Sequence, residues 1–440
     1  MAGLGFDVLT NVMTNLSSRD IMMTRRVCES WKIAAEDVLS RCDCRLLVGS
    51  EALTSLQVRG MAAGRRFEHR TLIAHKGSKR ALLAILTHIR SLHVFGMYRF
   101  SESSRDVVWP FVYDLLQRVA PSLTSLDMSE FCRYGCVLDL TLPTLPALQQ
   151  FATGHLFAHS FTSLLKGSKN LKYVSFQLIS LNIDWNKLPA SVTTLDHRYK
   201  RILDTEWDRA VELDQILRSK ARESVQILPL VSLEKTDIRK RHLPQLVKIM
   251  ITGENGQIGS ETISKLAEVL RPTQCRSIVF ASDFAAIHRS EWQQLFSSAV
   301  YLTSLTFDCH VQYESSDVLL AIASNCPSLK HLRLISMEAV TDSLFLKIQA
   351  IRSLSHLEIV SANQIDYEDI FITAKGVIDP LTNMFDRSMV NLRFHMTYGW
   401  NEDVGSALIE FATDRRLQVK HFLGRQQHER FGLQMWRDGH

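Results

Sequence analysis

The chain has 440 residues, enough for two or three domains or one long repeat array, and at 46% hydrophobic and 22% charged residues it is neither disordered nor collagen-like. A net charge of +5 is slight for this length and argues against a protein that coats nucleic acid. Eight cysteines are too few for a disulfide scaffold, Asp7, Arg19 and Asp20 interrupt any signal-peptide core, and no apolar run approaches the roughly 18 residues of a membrane span. The expectation is a soluble protein of a reducing compartment, cytoplasmic or nuclear or both, with no membrane partner. Leucine is the informative count: 58 of 440 residues are Leu, which directs attention to a Leu-keyed repeat.

Residues 4 to 39 open the chain with Leu9, Val12, Met13 and Leu16 at the i, i+3, i+4, i+7 spacing of one helical face. Ser17, Ser18 and Asp20 supply stop and cap chemistry, and Ile21, Met22 and Val27 to Trp31 lead a second amphipathic stretch ending near Leu39. A helical unit of residues 1–45 is predicted. It buries too little surface to be stable alone and is expected to dock on something. Residues 46–88 read as a basic helical linker: between 57 and 105 ten Lys or Arg face two Glu. The absence of regularly interleaved aromatics there disfavours nucleic acid as the partner.

From residue 89 to 440 an L-x-x-L-x-L strand core recurs, each followed by an amphipathic helix. The clearest copies are Ile89/Leu92/Val94, Leu123/Leu126/Met128, Leu171/Val174/Phe176, Leu246/Ile249/Ile251, Cys275/Ile278/Phe280, Leu302/Leu305/Phe307, Leu329/Leu332/Leu334 and Leu354/Leu357/Ile359. The last five begin at 246, 275, 302, 329 and 354, a period inside the roughly 20 to 29 residues of leucine-rich repeats. Helices are predicted around Ile263/Leu266/Leu270, Trp292/Leu295/Phe296/Val300, Val318/Ile322 and Leu344/Ile348/Ile351. Weaker copies stand at Leu148/Phe151, Val192/Leu195 and Val225/Leu228, with degenerate ones near Leu392 and Phe422. Residues 198–242 read as an irregular insertion carrying a long charged helix-like segment, Asp204 to Arg222.

Other chemistry finds little support. Cys132-x3-Cys136 before His155-x3-His159 could supply a zinc tetrad, yet Pro143, Pro146 and a repeat strand intervene and Cys is a common small core residue, so no metal is expected. Gly253, Gly256 and Gly259 lack the Lys-Ser/Thr of a phosphate loop and are read as a strand-to-helix connector. No catalytic motif and no cofactor site is evident, so the chain is read as non-catalytic.

The first forty residues resemble the F-box, by which substrate receptors hold the Skp-family adaptor of cullin-based ubiquitin ligases. Leu4, Val8, Leu9, Val12, Leu16, Asp20-Ile21 and Val27-Cys28-x-x-Trp31 stand at the motif's positions; Gly5 replaces its usual Pro and Met13 its frequent Phe. Asn325 to Leu334, followed by Ala339-Val340-Thr341-Asp342-Ser343-Leu344, is similar to the cysteine-containing leucine-rich repeat that often follows an F-box. The resemblance implies an α/β protein: a small helical F-box and then a curved leucine-rich-repeat solenoid, parallel strands on its concave face and helices on its convex face. It implies a receptor subunit of an SCF-type ligase, joined through the adaptor to cullin and a RING subunit. The adaptor contacts it implies are Leu4, Val8, Leu9, Val12, Met13, Leu16, Ile21, Val27, Cys28 and Trp31.

Strand alternation directs the residues between core positions toward the concave face, where a protein substrate would bind. Asp127, Tyr173, Lys248, Thr306, Asp308, His331, Arg333, His356, Glu358 and Arg393 are the candidates, each of which could equally be a solvated surface residue. The alternative is a leucine-rich scaffold with no ligase role, its F-box-like segment acting as an N-terminal cap.

Overall fold

In a computed structural model, the described residues are 6–14, 16, 24, 27–41, 43–48, 71–74, 89–96, 102–129, 141–156, 158–176, 178–179, 183–197, 211–233, 243–253, 257–308, 316–335, 340–361, 372–396, 402–423 and 431–436. The chain divides into two compact units, Met1–Asp204 with Ser219–Ala221, and Thr205–Arg218 with Arg222–His440.

The first unit begins with two helices, α1 (Phe6–Thr14) and α2 (Glu29–Arg41). Leu9 and Met13, one turn apart on α1, pack on Ala34, Ala35 and Val38 of α2, with Leu16 and Trp31 at the margin. Two alanines at the crossing allow close approach of the helices. Strand β1 (Asp43–Val48) follows and pairs in parallel with β2 (Thr71–Ala74) and β3 (Ser91–Gly96). This corrects the expectation of a helical linker over 46–88, because two strands stand in or across it. Runs of four to six residues are too short for periodicity to separate strand from helix. The remainder of that segment, with most of its basic residues, lies outside the described residues.

After α3 (Glu102–Val119), β4 (Ser125–Met128) and β5 (Gln150–Thr153) extend the sheet, followed by α4 (Ala158–Gly167), β6 (Tyr173–Phe176) and β7 (Thr194–His197). The order is β2-β1-β3-β4-β5-β6-β7, and every pairing is parallel.

The second unit opens with β8 (Val211–Glu212) and α5 (Leu213–Arg218). The expected long charged helix therefore shrinks, within the described residues, to six residues, since Leu213, Ile216 and Leu217 end its apolar face. Then come β9 (Ile227–Ser232), β10 (Lys248–Ile251), α6 (Ser260–Leu270), β11 (Ser277–Phe280), α7 (Arg289–Ser298) and β12 (Ser304–Asp308). The alternation continues through α8 (Ser316–Asn325), β13 (His331–Ile335), α9 (Asp342–Gln349), β14 (His356–Ser361), α10 (Ala374–Arg387), β15 (Asn391–Met396) and α11 (Glu402–Asp414). Strands β8 to β15 pair in sequence, all parallel.

The end of the sheet departs from the parallel expectation. β17 (Phe431–Trp436) inserts between β15 and β16 (Gln418–Leu423) and runs antiparallel to both. The degenerate copy near Phe422 is thus one arm of a closing hairpin.

All 24 residues of the eight clear strand cores are at most 3% exposed. A backbone device accompanies them. One carbonyl ahead of each strand accepts the N–H groups of two successive residues of the next: Arg90 from Thr124 and Ser125, Thr124 from Gln149 and Gln150, Arg276 from Thr303 and Ser304, Thr303 from Lys330 and His331, and Lys330 from Ser355 and His356. Ser or Thr hydroxyls join the same carbonyls, as Thr124 Oγ1 does on Arg90 at 2.9 Å and Ser355 Oγ on Lys330 at 3.1 Å. This ladder fixes the register, so alternate strand residues point outward in aligned rows.

Of the three connector glycines, Gly256 lies outside the described residues and Gly259 has open space around it. A Cβ on Gly253 would sit 1.6 Å from the Gln257 carbonyl oxygen, so the turn from β10 toward α6 closes only with glycine there.

Candidate functional site

Two surfaces bear on function. The first is the helical head. Helical geometry turns successive residues by about 100°, so Val8 and Val12 form a stripe beside the buried Leu9/Met13 stripe rather than within it. Val8 is 49% and Val12 42% exposed, and Val27 and Ile33 are also exposed, while Leu9 and Met13 are sealed. Of ten exposed large hydrophobics among the described residues, five belong to this head: Phe6, Val8, Val12, Val27 and Ile33. So small a unit cannot enclose its own apolar surface, and an apolar patch left in water is the signature of a partner site.

The ten adaptor candidates therefore separate. Val8, Val12, Val27 and Cys28 are exposed; Leu16 and Trp31 are half-buried against the head's core; Leu9 and Met13 are that core; Leu4 and Ile21 lie outside the described residues. Phe6 and Ile33 escaped the sequence reading. Ile33 was findable, because on a helical wheel it lies opposite the Ala34/Ala35/Val38 face.

Cys28 has an exposed thiol, whereas burial pushes the thiols of Cys275 and Cys326 up to about 12. Thiolate is the reactive form, so alkylation at about pH 8, read peptide by peptide, is expected to modify Cys28 within minutes. Cys275 and Cys326 should stay unmodified until denaturant is added.

The second surface is the outward row of each sheet. In the first unit, the Tyr173 hydroxyl donates to Asp196 Oδ2 at 2.7 Å, and Asp127 accepts from the Ser129 amide and hydroxyl while facing His93 Nδ1 at 3.5 Å.

In the second unit the registers bring Ser304, His331, His356 and Asn391 into one row, and Thr306, Arg333, Glu358 and Arg393 into the next. The His331 and His356 rings stack at 4.3 Å, and Ser355 Oγ lies 2.9 Å from His356 Nδ1. Partial burial, with the charge of Lys330 beside it, holds His331 below the ordinary histidine pKa. Glu358 is shared: Arg333 Nε reaches one carboxylate oxygen at 2.8 Å and Arg393 Nη1 the other at 3.4 Å. Through β17 the second row continues to Gln434 and Lys420.

All ten expected face residues, Asp127, Tyr173, Lys248, Thr306, Asp308, His331, Arg333, His356, Glu358 and Arg393, have outward or partly exposed side chains. Lys420 was missed because its strand joins the sheet through the antiparallel hairpin. Cys132 and Cys136 of the zinc alternative lie outside the described residues, and His159 Nε2 is 3.2 Å from Thr141 Oγ1. No described helix is long and apolar enough to cross a membrane.

Residues 2–43, which take in both helices of the head, match the F-box domain. No curated protein matches the chain. An F-box implies binding to a Skp-family adaptor, and proteins that carry one are generally non-catalytic receptors.

Proposed function

We propose that the protein is the substrate receptor of an SCF-type ubiquitin ligase: the head holds the Skp-family adaptor, and through it cullin and the RING subunit, while leucine-rich repeats hold a protein substrate on the outward sheet face, in the cytoplasm or nucleus. The observation that carries this reading is the F-box match over residues 2–43. The mechanism is effective concentration. A substrate tethered to the same assembly as the charged enzyme presents its lysines in an intramolecular reaction, and a receptor built of regular strands and helices fixes orientation better than a flexible tether does.

A second reading, the head as a cap on a scaffold, is favoured by β1, which follows α2 directly and pairs with β3. Deleting residues 1–41, which spares β1, separates the two. A receptor is expected to lose co-precipitation of adaptor and cullin while its thermal unfolding is unchanged. A cap is expected to lower the midpoint and cause aggregation. Failure of the intact protein to capture the adaptor would sink the ligase reading.

A further inference from the structure

Four parallel strands of the second unit, β10 to β13, set Lys248, Ser277, Ser304 and His331 in one outward row and Met250, Val279, Thr306 and Arg333 in the next. Side-chain length sorts these eight residues by strand. The two outer strands carry long side chains, Lys248 and Met250 on β10 and His331 and Arg333 on β13, while the two inner strands carry only Ser277, Val279, Ser304 and Thr306. At about 4.8 Å per strand the walls of this trough stand roughly 14.4 Å apart, and at about 3.3 Å per residue its two rows are roughly 6.6 Å apart. Seven of the eight side chains reach solvent at least in part, and Val279, at 8% exposure, seals the floor. The first row is uncommitted. Among the described residues Lys248 is a cation without an ion pair, and the hydroxyls of Ser277, Ser304 and Thr306 are without hydrogen-bond partners. Arg333, by contrast, is answered by Glu358 at 2.8 Å. The trough therefore offers one unmatched positive charge with hydroxyl donors beside it at its first row, and an apolar wall and floor, Met250 and Val279, at its second.

We propose that this trough binds the free C-terminus of a protein chain, its α-carboxylate among Lys248, Ser277 and Ser304 and its last side chain, aliphatic or thioether, on Met250 and Val279. One full positive charge matches one carboxylate. A phosphoryl dianion calls for a second cation, and Arg333 is already held by Glu358. A terminal residue also carries its carboxylate and its side chain on one Cα, so the two groups span a single row spacing. Asp308, the outward carboxylate of β12, lies four residues beyond Ser304, about 13 Å along the strand, which sets the anion at the Lys248 end. Any C-terminus brings the same carboxylate, so the apolar floor supplies the choice of last residue. The terminus belongs to the substrate, so the inference rests on the receptor reading, but its test does not involve the adaptor.

The full chain is titrated at low ionic strength, with peptide-observed NMR, against acetylated Gly-Ser-Gly-Ser-Gly-Leu and Gly-Ser-Gly-Ser-Gly-Met, each as the free acid and as the C-terminal amide. A free acid ending in Gly and an amide bearing an internal phosphoserine complete the set. The acids ending in Leu or Met are expected to bind, and their amides at least about tenfold more weakly, because amidation removes the charge and a charge-assisted hydrogen bond. The Gly-ended acid should fall between. Lys248→Gln should weaken the acids about threefold to fivefold, the size of one exposed ion pair, and leave the amides unchanged. Met250→Ala should bring the Leu-ended acid down toward the Gly-ended one. Circular dichroism of each variant confirms that the fold persists. Equal binding of acid and amide, no binding of the Leu-ended and Met-ended acids, tighter binding of the phosphoserine peptide than of either acid, or indifference to Lys248→Gln overturns the proposal. If the chain captures adaptor and cullin and still ignores both acids, the inference fails alone; if it binds them and captures no adaptor, the ligase reading fails alone.

Discussion

The double variant Val8→Asp/Val12→Asp is expected to abolish capture of the Skp-family adaptor and to leave the protein's thermal unfolding nearly unchanged. Both valines stand on the water side of α1, at 49% and 42% exposure, and neither belongs to the packed set Leu9, Met13, Ala34, Ala35 and Val38. Substitutions at such surface positions usually cost no more than about 0.5 kcal/mol of folding free energy. Val and Asp also have similar helix propensities. In a complex the same two positions would bury carboxylates without partners, at roughly 2–5 kcal/mol each, which is a loss well beyond about a hundredfold in affinity. Leu9→Ala is the contrasting control. Leu9 is 2% exposed, so its truncation should first cost the head about 2–5 kcal/mol of stability and lower adaptor capture only through unfolding. Calorimetric titration with purified adaptor and a thermal melt on each variant decide the matter. A double variant that binds like the unmodified chain would show that the Val8/Val12 stripe is not the interface.

The head and the strand cores were legible for one reason: both are written in periodicities that a single sequence displays. Leu9 and Met13 recur at helical spacing, and Leu305/Phe307, Leu332/Leu334 and Leu357/Ile359 recur at strand spacing inside a period of 25 to 27 residues. Outward positions follow from the same alternation, so Thr306, Arg333, Glu358 and Arg393 could be named as face candidates, while their standing in one row comes from the registers. What escaped lacks a period. Pro110 and Pro380 stand inside α3 and α10, where proline removes a backbone hydrogen bond, and although a helix was expected after each strand core, neither of these was located in the sequence. β1 and β2 are too short to carry alternation. The closing hairpin of β16 and β17 depends on a partner choice made in space, and that is why Lys420 joins the row of Arg393 without any fixed distance in sequence. The burial split within the F-box residues also needed the structure, because the motif records which positions are apolar and not which of them face inward.

Phe280→Ala is expected to be the most damaging single change in the second unit. Phe280 is fully buried at the end of β11, stacked on Phe307 of β12 at 5.3 Å and 20°, edge-on to Phe284 at 5.3 Å and edge-on to Trp292 of α7 at 6.0 Å. Its ring therefore joins two neighbouring strands and the helix that covers them. Truncation leaves a cavity that three rigid rings cannot collapse to fill, so the cost belongs at the upper part of the roughly 3–5 kcal/mol seen for buried Phe→Ala changes. For a unit of this size each kcal/mol moves the midpoint by about 2–4 °C, giving an expected drop of roughly 10 °C or more. Phe280→Leu, which retains most of the volume, should cost less than about 1.5 kcal/mol. Near-ultraviolet circular dichroism should report the loss directly, since Trp292 sits against the altered ring and against Phe296. The functional consequence follows from the register: β12 carries Thr306 beside Arg333 of β13, so loosening the β11–β12 seam is expected to weaken binding on the outward face at temperatures where the helical head still captures adaptor. A midpoint shifted by less than a few degrees would mean that the aromatic cluster can repack around the gap, and that the stability of this seam resides in the backbone ladder rather than in its rings.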